Sequence, residues 1–319
     1  MLAGLGALRR TVRASRSNAS VRLRCCNASM NISSLPPIFV SHGSPMIALE
    51  PGAAGAFLQR LGPAIDAAFG RPKAILAISA HTAARAPVLL AAKRHEAVYD
   101  FGGFDPKLFT LRYDASGAPE LAQQVAQLLA QAQITVHTLA EGGLDHGIWT
   151  ALRYLYPRSD VPVLPLAFVP SQSPAQQFAL GEALGSLTAQ GVLVMGTGSI
   201  THNLRRALAG GLRANPDQPE IPESAVFREW MRSRSAALDW EALFDYRARA
   251  PHAVDMHPTD EHLLPWFVAA GAGGRLHAPQ RLHASVTLGS LGMDAYAFGA
   301  QAAALARQLE PHEAGAVPG

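Results

Sequence analysis

Three short apolar runs in this chain end in the same way. Pro37-Ile38-Phe39-Val40-Ser41 stops at His42 in a Gly/Ser/Pro turn, Ala74-Ile75-Leu76-Ala77-Ile78-Ser79-Ala80 stops at His81, and the run from Val192 through Gly198 to Thr201 stops at His202. Continuous apolar stretches of this length, bounded by turn residues, predict strands buried on both faces. Between them the period changes. Helical spacing appears over Gly52–Gly62, over Pro119–Gln133 with Leu121, Val125, Leu128 and Leu129 on one face, from about Ile148, over Pro174–Gln190 and over Ser224–Asp239. Further strands are predicted at Ile134–Leu139, Val161–Phe168 and Ser285–Leu288. Thr259 is placed to cap a helix that begins near His262 and continues through Trp266, Phe267 and Val268. Strands alternating with helices predict a single α/β domain, a mostly parallel central sheet covered by helices on both faces. In such sheets ligands collect beyond the carboxyl ends of the strands, where His42, His81 and His202 would meet.

Charge divides the chain unevenly. Residues 1–34 hold six of the 27 basic side chains and no acidic one, so the remainder carries 21 basic against 24 acidic groups, a formal charge of −3. The basic isoelectric point therefore belongs to the leader, and the body carries no electrostatic footprint for nucleic acid. The leader is Arg-, Ser- and Ala-rich, which resembles an organellar transit peptide; an over-long gene model, with translation starting at Met30 just before the first strand, is the preferred reading. The expected organisation is a disordered leader at 1–34, a catalytic domain at 35–300 and a C-terminal tail at 301–319. No apolar run reaches the roughly 20 residues that span a bilayer, so a cytoplasmic protein without membrane contact is expected, or an organellar one if the leader is a transit peptide.

Both cysteines, Cys25 and Cys26, lie in that leader. The body thus has no thiolate nucleophile, disulfide or Cys-type zinc site. A metal there must be held by imidazole and carboxylate, a donor set that suits zinc or non-haem iron. Of the 12 histidines, His95, His137, His277, His283 and His312 read as surface or hydrogen-bonded structural residues. His146 lies in a glycine-flanked turn, Gly142-Gly143-Leu144-Asp145-His146-Gly147, where either a ligand contact or a helix cap fits and Asp145 can cap as well. His262 stands beside Glu261 at a helix start, a position that disfavours imidazolium and keeps a lone pair free. The segment Tyr99–Phe109 interleaves aromatics with Gly, Pro and Asp, either as a loop packed down by its own rings or as a wall for a planar substrate.

The motifs Ser41-His42-Gly43-Ser44-Pro45, Ser79-Ala80-His81, Asp100-Phe101-Gly102-Gly103-Phe104, Asp145-His146-Gly147, Thr201-His202-Asn203-Leu204 and Glu261-His262-Leu263-Leu264-Pro265 resemble, in order, those of the DODA-type extradiol ring-cleaving dioxygenases. These belong to the class III extradiol family, and the resemblance runs from about Leu35 to about Gly299. It implies one divalent metal per chain, Fe(II) for activity with Zn(II) able to occupy the same ligands. His42, His81, His202 and His262 are the implied ligands and His146 the implied acid/base. In the broader class the third ligand is a glutamate and the residue matching His202 acts as a base. Glu261 or His262 thus completes the set, with His262 expected, and His202 is either a ligand or a catalytic neighbour of the metal. The implied reaction inserts O2 beside the two hydroxyls of a catechol, DOPA-like or otherwise substituted, to give a muconic semialdehyde-type product. The same imidazoles would also serve a zinc hydrolase, and the scaffold a binding module without catalysis. The aromatic segment Tyr99–Phe109 is compatible with any planar catechol, and the chain with a monomer or a homodimer.

Overall fold

The three histidine-bearing runs form neighbouring strands. In the computed structural model, which describes residues 34–209 and 215–310, they are β1 (Ile38–Ser41), β2 (Ala74–Ser79) and β6 (Val192–Gly198). With β3 (Val88–Leu90), β4 (His137–Leu139), β5 (Val163–Ala167), β7 (Gln280–His283) and β8 (Ala295–Ala297) they build an eight-stranded sheet in the order β4-β3-β5-β2-β6-β1-β8-β7. The four central strands β5, β2, β6 and β1 are parallel, whereas β3 against β5, β1 against β8 and β8 against β7 are antiparallel.

Every residue of β1, β2 and β6 is buried, because helices cover both faces. Ile38 and Val40 point into one core with Phe57, Leu61, Trp149 and Leu152, while Phe39 points into the other with Phe178, Trp266 and Phe267. The first core is closed by α1 (Gly52–Phe69), α3 (His146–Leu155) and α7 (Ala302–Leu309), and the second by α2 (Pro119–Gln131), α4 (Pro174–Leu184), α5 (Pro222–Ala236) and α6 (Leu264–Gly273). This period of two, buried on both sides, is what makes the central strands read as unbroken apolar runs.

Several boundaries depart from the sequence reading. Helix α1 continues through Gly62 and Pro63 to Phe69. Gly62 is a packing residue there, since a Cβ would come within 2.0 Å of the Leu155 carbonyl oxygen of α3. The segment expected as a last strand at Ser285–Leu288 contributes only Val286–Thr287 to a ribbon with Leu291–Gly292; the sheet is completed instead by β7 and β8. Thr259 does not cap a helix: its hydroxyl donates to Glu261 Oε1 (2.9 Å), and α6 begins only at Leu264. His262 consequently sits in the turn before the helix. The leader reading, the region 210–214 and the last residues including His312 lie outside the described residues. No helix among the described residues is long and apolar enough to cross a membrane.

Helices α4 and α6 cross through glycine. A Cβ on Gly181 would fall 2.0 Å from the Val268 carbonyl oxygen, and one on Gly271 would fall 2.0 Å from that of Phe178. Gly271→Ala must therefore push the helices apart, at about 1–3 kcal/mol. The expected readout is a thermal midpoint lowered by about 5 °C; an unchanged midpoint would show that the crossing adjusts freely.

Candidate metal and catalytic site

Parallel register brings the strand ends together. Ser41 of β1 pairs with Gly198 of β6, and Ser79 of β2 pairs with Thr197. The ladder runs one step further on each side, through His42 N–H to Gly198 O (3.0 Å) and Ala80 N–H to Thr197 O (3.1 Å). His42 and His81 thus leave the two strands that flank β6 at one level, with their Nε2 atoms 3.1 Å apart.

His262 joins them through backbone contact. Ser199 N–H donates to the His262 carbonyl oxygen (2.9 Å), and a Cβ on Gly198 would come within 2.0 Å of that same oxygen. Only glycine permits this approach. His42, His81 and His262 each offer a ring nitrogen, all within 4.8 Å of one another.

Hydrogen bonds assign the protons on two of these rings. The Thr197 hydroxyl donates to Gly147 O (2.9 Å), so it accepts from His42 Nδ1 (2.9 Å) and leaves His42 Nε2 bare. Glu261 Oε1 lies 3.3 Å from His262 Nδ1, and a carboxylate only accepts, so His262 Nε2 is bare as well. That nitrogen is buried with no hydrogen-bond partner. An orphaned buried acceptor costs about 1–3 kcal/mol unless something binds it. Outer nitrogens bonded to protein and inner nitrogens converging on one point is the arrangement in which histidines hold a metal. Two donors each about 2.1 Å from an ion at a near-right angle lie about 3 Å apart, as His42 and His81 do. The donor set fits a divalent metal.

His202 occupies a different position from these three. Its backbone N–H donates to Met256 O (2.8 Å), and its ring lies flat on that of His262, with centroids 3.4 Å apart and planes 8° from parallel. It borders the cluster, and the three-nitrogen group does not include it. Glu261, the alternative third ligand, stands behind His262 on the outer nitrogen.

His146 opens α3, whose cap is Asp145: its Oδ1 accepts from Ile148 N–H (3.2 Å) and from the Ser79 hydroxyl (2.7 Å), while Oδ2 accepts from the Thr82 hydroxyl. The cap role thus belongs to Asp145, and the His146 side chain is free to face the cluster. Its ring lies 4.0 Å from that of His81 and 5.3 Å from that of His42, centroid to centroid. Gly147 makes this possible, because a Cβ there would lie 2.9 Å from His42 Cε1. Asp100, quoted in the sequence only as part of a motif, supplies a carboxylate oxygen 2.9 Å from His146 Nδ1. His81, Asp100 and His146 also form a second group with ligand atoms within 4.8 Å. The Phe101 ring packs edge-on to His146 at 5.6 Å and joins Tyr99, Phe104 and Phe109 in a partly exposed aromatic group.

Burial sets the protonation of the cluster. His42 and His262 are held well below the ordinary imidazole value, first by desolvation and then by neighbouring imidazoles. The same causes bring His81 to about 4, with His146 the main neighbour, and His202 to about 3, with His257 the main neighbour. His257, donating through Nε2 to Ile200 O (2.7 Å), is lowered to about 4 by burial. All five are neutral in the folded protein near pH 6, whereas the unfolded chain protonates them below about 6.5. Stability is therefore complete above that value and falls as pH drops towards 4, by about 1.4 kcal/mol per pH unit for each fully buried histidine charged only when unfolded and by less for the solvent-exposed His81. Asp145 and Asp294, raised by burial, oppose the trend but are fewer. The denaturation midpoint of metal-free protein should fall steadily from pH 7 to pH 5, and a flat profile would contradict the buried neutral cluster.

Residues 36–299 match the family described as the catalytic LigB subunit of aromatic ring-opening dioxygenase. The chain is 34% identical over 264 residues to a 4,5-DOPA dioxygenase extradiol of Beta vulgaris, covering 82% of this chain and 95% of that one. It is 32% identical over 249 residues to the 4,5-DOPA dioxygenase extradiol of Escherichia coli K12, covering 76% of this chain and 87% of that one. The crystal structure of an uncharacterized protein from Escherichia coli K12 superposes with a TM-score of 0.68 at 28% identity, covering 83% of this chain and all of that one.

Proposed function

Because the chain belongs to the LigB family of aromatic ring-opening dioxygenases, as an enzyme of the extradiol type, we propose that it opens a catechol ring beside its two hydroxyls, using one divalent metal held by His42, His81 and His262. The observation that supports this most is the convergence of three imidazole nitrogens within 4.8 Å, one of them buried and unpartnered. Fe(II), when bound, supplies open coordination positions for the diol and O2 together with the redox capacity that no side chain here has; Zn(II) fits the same donors without the redox capacity.

The residues around that point have separable tasks. His42 and His262 present lone pairs fixed by Thr197 and Glu261. His146 takes a proton from one catechol hydroxyl and returns it as the ring opens, work for an imidazole with one ring nitrogen free to accept. His202, lying on the His262 ring, serves in this reading as a second acid/base beside the metal ligands; its stacking on His262 and its absence from the three-nitrogen group support that role over a fourth ligand's. Phe101, with its neighbours, offers an apolar edge against which a planar ring packs. Both oxygen atoms of O2 enter the product, a ring-opened muconic semialdehyde type.

The test is anaerobic reconstitution with Fe(II), addition of DOPA, the substrate in the names of the relatives, and admission of air. One O2 consumed per catechol, with a yellow product, supports the reading. No uptake with DOPA, caffeate or simple catechol, alongside ester hydrolysis by the zinc-loaded protein, would replace it with hydrolysis.

A further inference from the structure

We infer that Asp100 is a positioning residue: its carboxylate holds the His146 imidazole with the proton on Nδ1, and so leaves Nε2 as the atom that exchanges a proton with substrate. The inference rests on the acid/base role proposed above for His146.

The geometry carries it. Asp100 Oδ1 lies 2.9 Å from His146 Nδ1 and accepts the His146 backbone N–H as well (3.1 Å). An ionised carboxylate has no proton to give, so Nδ1 must be the donor, and the ring nitrogen on the far side carries the lone pair. Burial pushes the Asp100 carboxyl up, but the hydrogen bonds it accepts from the His146 ring and backbone outweigh this and hold it below the usual carboxylate value. It is thus ionised near neutral pH.

A capping role does not account for this contact. Asp145 already caps α3, and Asp100 reaches the helix from a loop 46 positions earlier in the chain. That loop is fastened just before Asp100: Val98 N–H donates to Leu144 O (2.7 Å), Leu144 N–H to Glu96 O (2.9 Å) and the Trp149 indole to Val98 O (3.1 Å). The carboxylate is therefore presented to the ring by a fixed backbone, as a group that sets a tautomer must be. Its second oxygen lies 3.9 Å from His81 Nδ1, beyond hydrogen-bond distance, so the direct partner is His146.

Two measurements on Asp100→Ala and Asp100→Asn test this. In the Fe(II)-loaded enzyme, kcat for the Ala variant should fall by about 10²-fold while KM and metal content stay within about twofold. The Asn variant, whose amide oxygen still accepts but carries no charge, should fall between Ala and wild type, and it guards against loss of fold in the Ala variant. In metal-free protein, imidazole 15N spectra should show His146 protonated at Nδ1 in wild type and shifted towards the Nε2–H form in Asp100→Ala. An unchanged tautomer, or an unchanged kcat per bound metal, would overturn the inference. If wild type turns over no catechol, the proposed reaction fails, and the nitrogen spectra alone decide the role of Asp100.

Discussion

His42→Ala should lose stoichiometric metal and lower turnover by at least about 10³-fold, the largest effect expected of any single side chain here. His42 is fully buried, its Nε2 faces that of His81, and its Nδ1 is committed to Thr197. Its neighbour His146 is held through Nδ1 by Asp100, and the residues that flank His42, Ser41 and Gly43, carry no imidazole or carboxylate to take its place. The fold should survive, because the lost hydrogen bond to Thr197 is worth about 1 kcal/mol and the Thr197 hydroxyl keeps its bond to Gly147 O. Metal analysis after gel filtration, paired with circular dichroism, reads both expectations. A variant that keeps its metal would remove His42 from the ligand set.

His146→Ala should behave in the opposite way, keeping the metal while kcat falls by about 10²- to 10⁴-fold, the range for loss of an acid/base. Its ring sits next to that of His81, but its Nδ1 is bonded to Asp100 outside the three-nitrogen group. Metal content and KM should therefore stay near wild type. If this variant releases metal, His146 is a ligand, and the alternative group of His81, Asp100 and His146 becomes the site.

The contrast between these two histidines shows what the sequence carried and what it did not. His42 and His81 were legible because β1 and β2 are buried on both faces, so unbroken apolar runs end abruptly at a polar ring. The parallel centre of the sheet followed from the same runs. His146 emerged from its glycine-flanked turn, yet the division of labour with Asp145 is a matter of rotamers and hydrogen bonds that no spacing encodes. The approach of His262 depends on Gly198 accepting a backbone within van der Waals reach, a tertiary fact hidden in an ordinary strand glycine. Asp100 meets His146 across 46 residues, so its motif could be quoted without revealing its task.

The edges of the fold were less visible for a related reason. Strand β8 has three residues and β7 has four that are only half-buried, too few and too mixed to display a period of two. Ser285–Leu288, more apolar than β7 and ending at a Gly-rich turn, drew the assignment instead, although only Val286 and Thr287 pair, and they pair outside the main sheet. Pro63 reads as a stop signal, but the packing of α1 against α3 and α7 carries the helix past it.

Anomalous diffraction at the metal edge, from crystals of the iron- or zinc-loaded protein, tests the three-histidine centre most directly. The expected result is one peak per chain, about 2.0–2.2 Å from the Nε2 atoms of His42, His81 and His262 together, with the His202 ring outside bonding distance. A peak seated instead between Asp100 and His146, or bonded to His202 in place of His262, would contradict it.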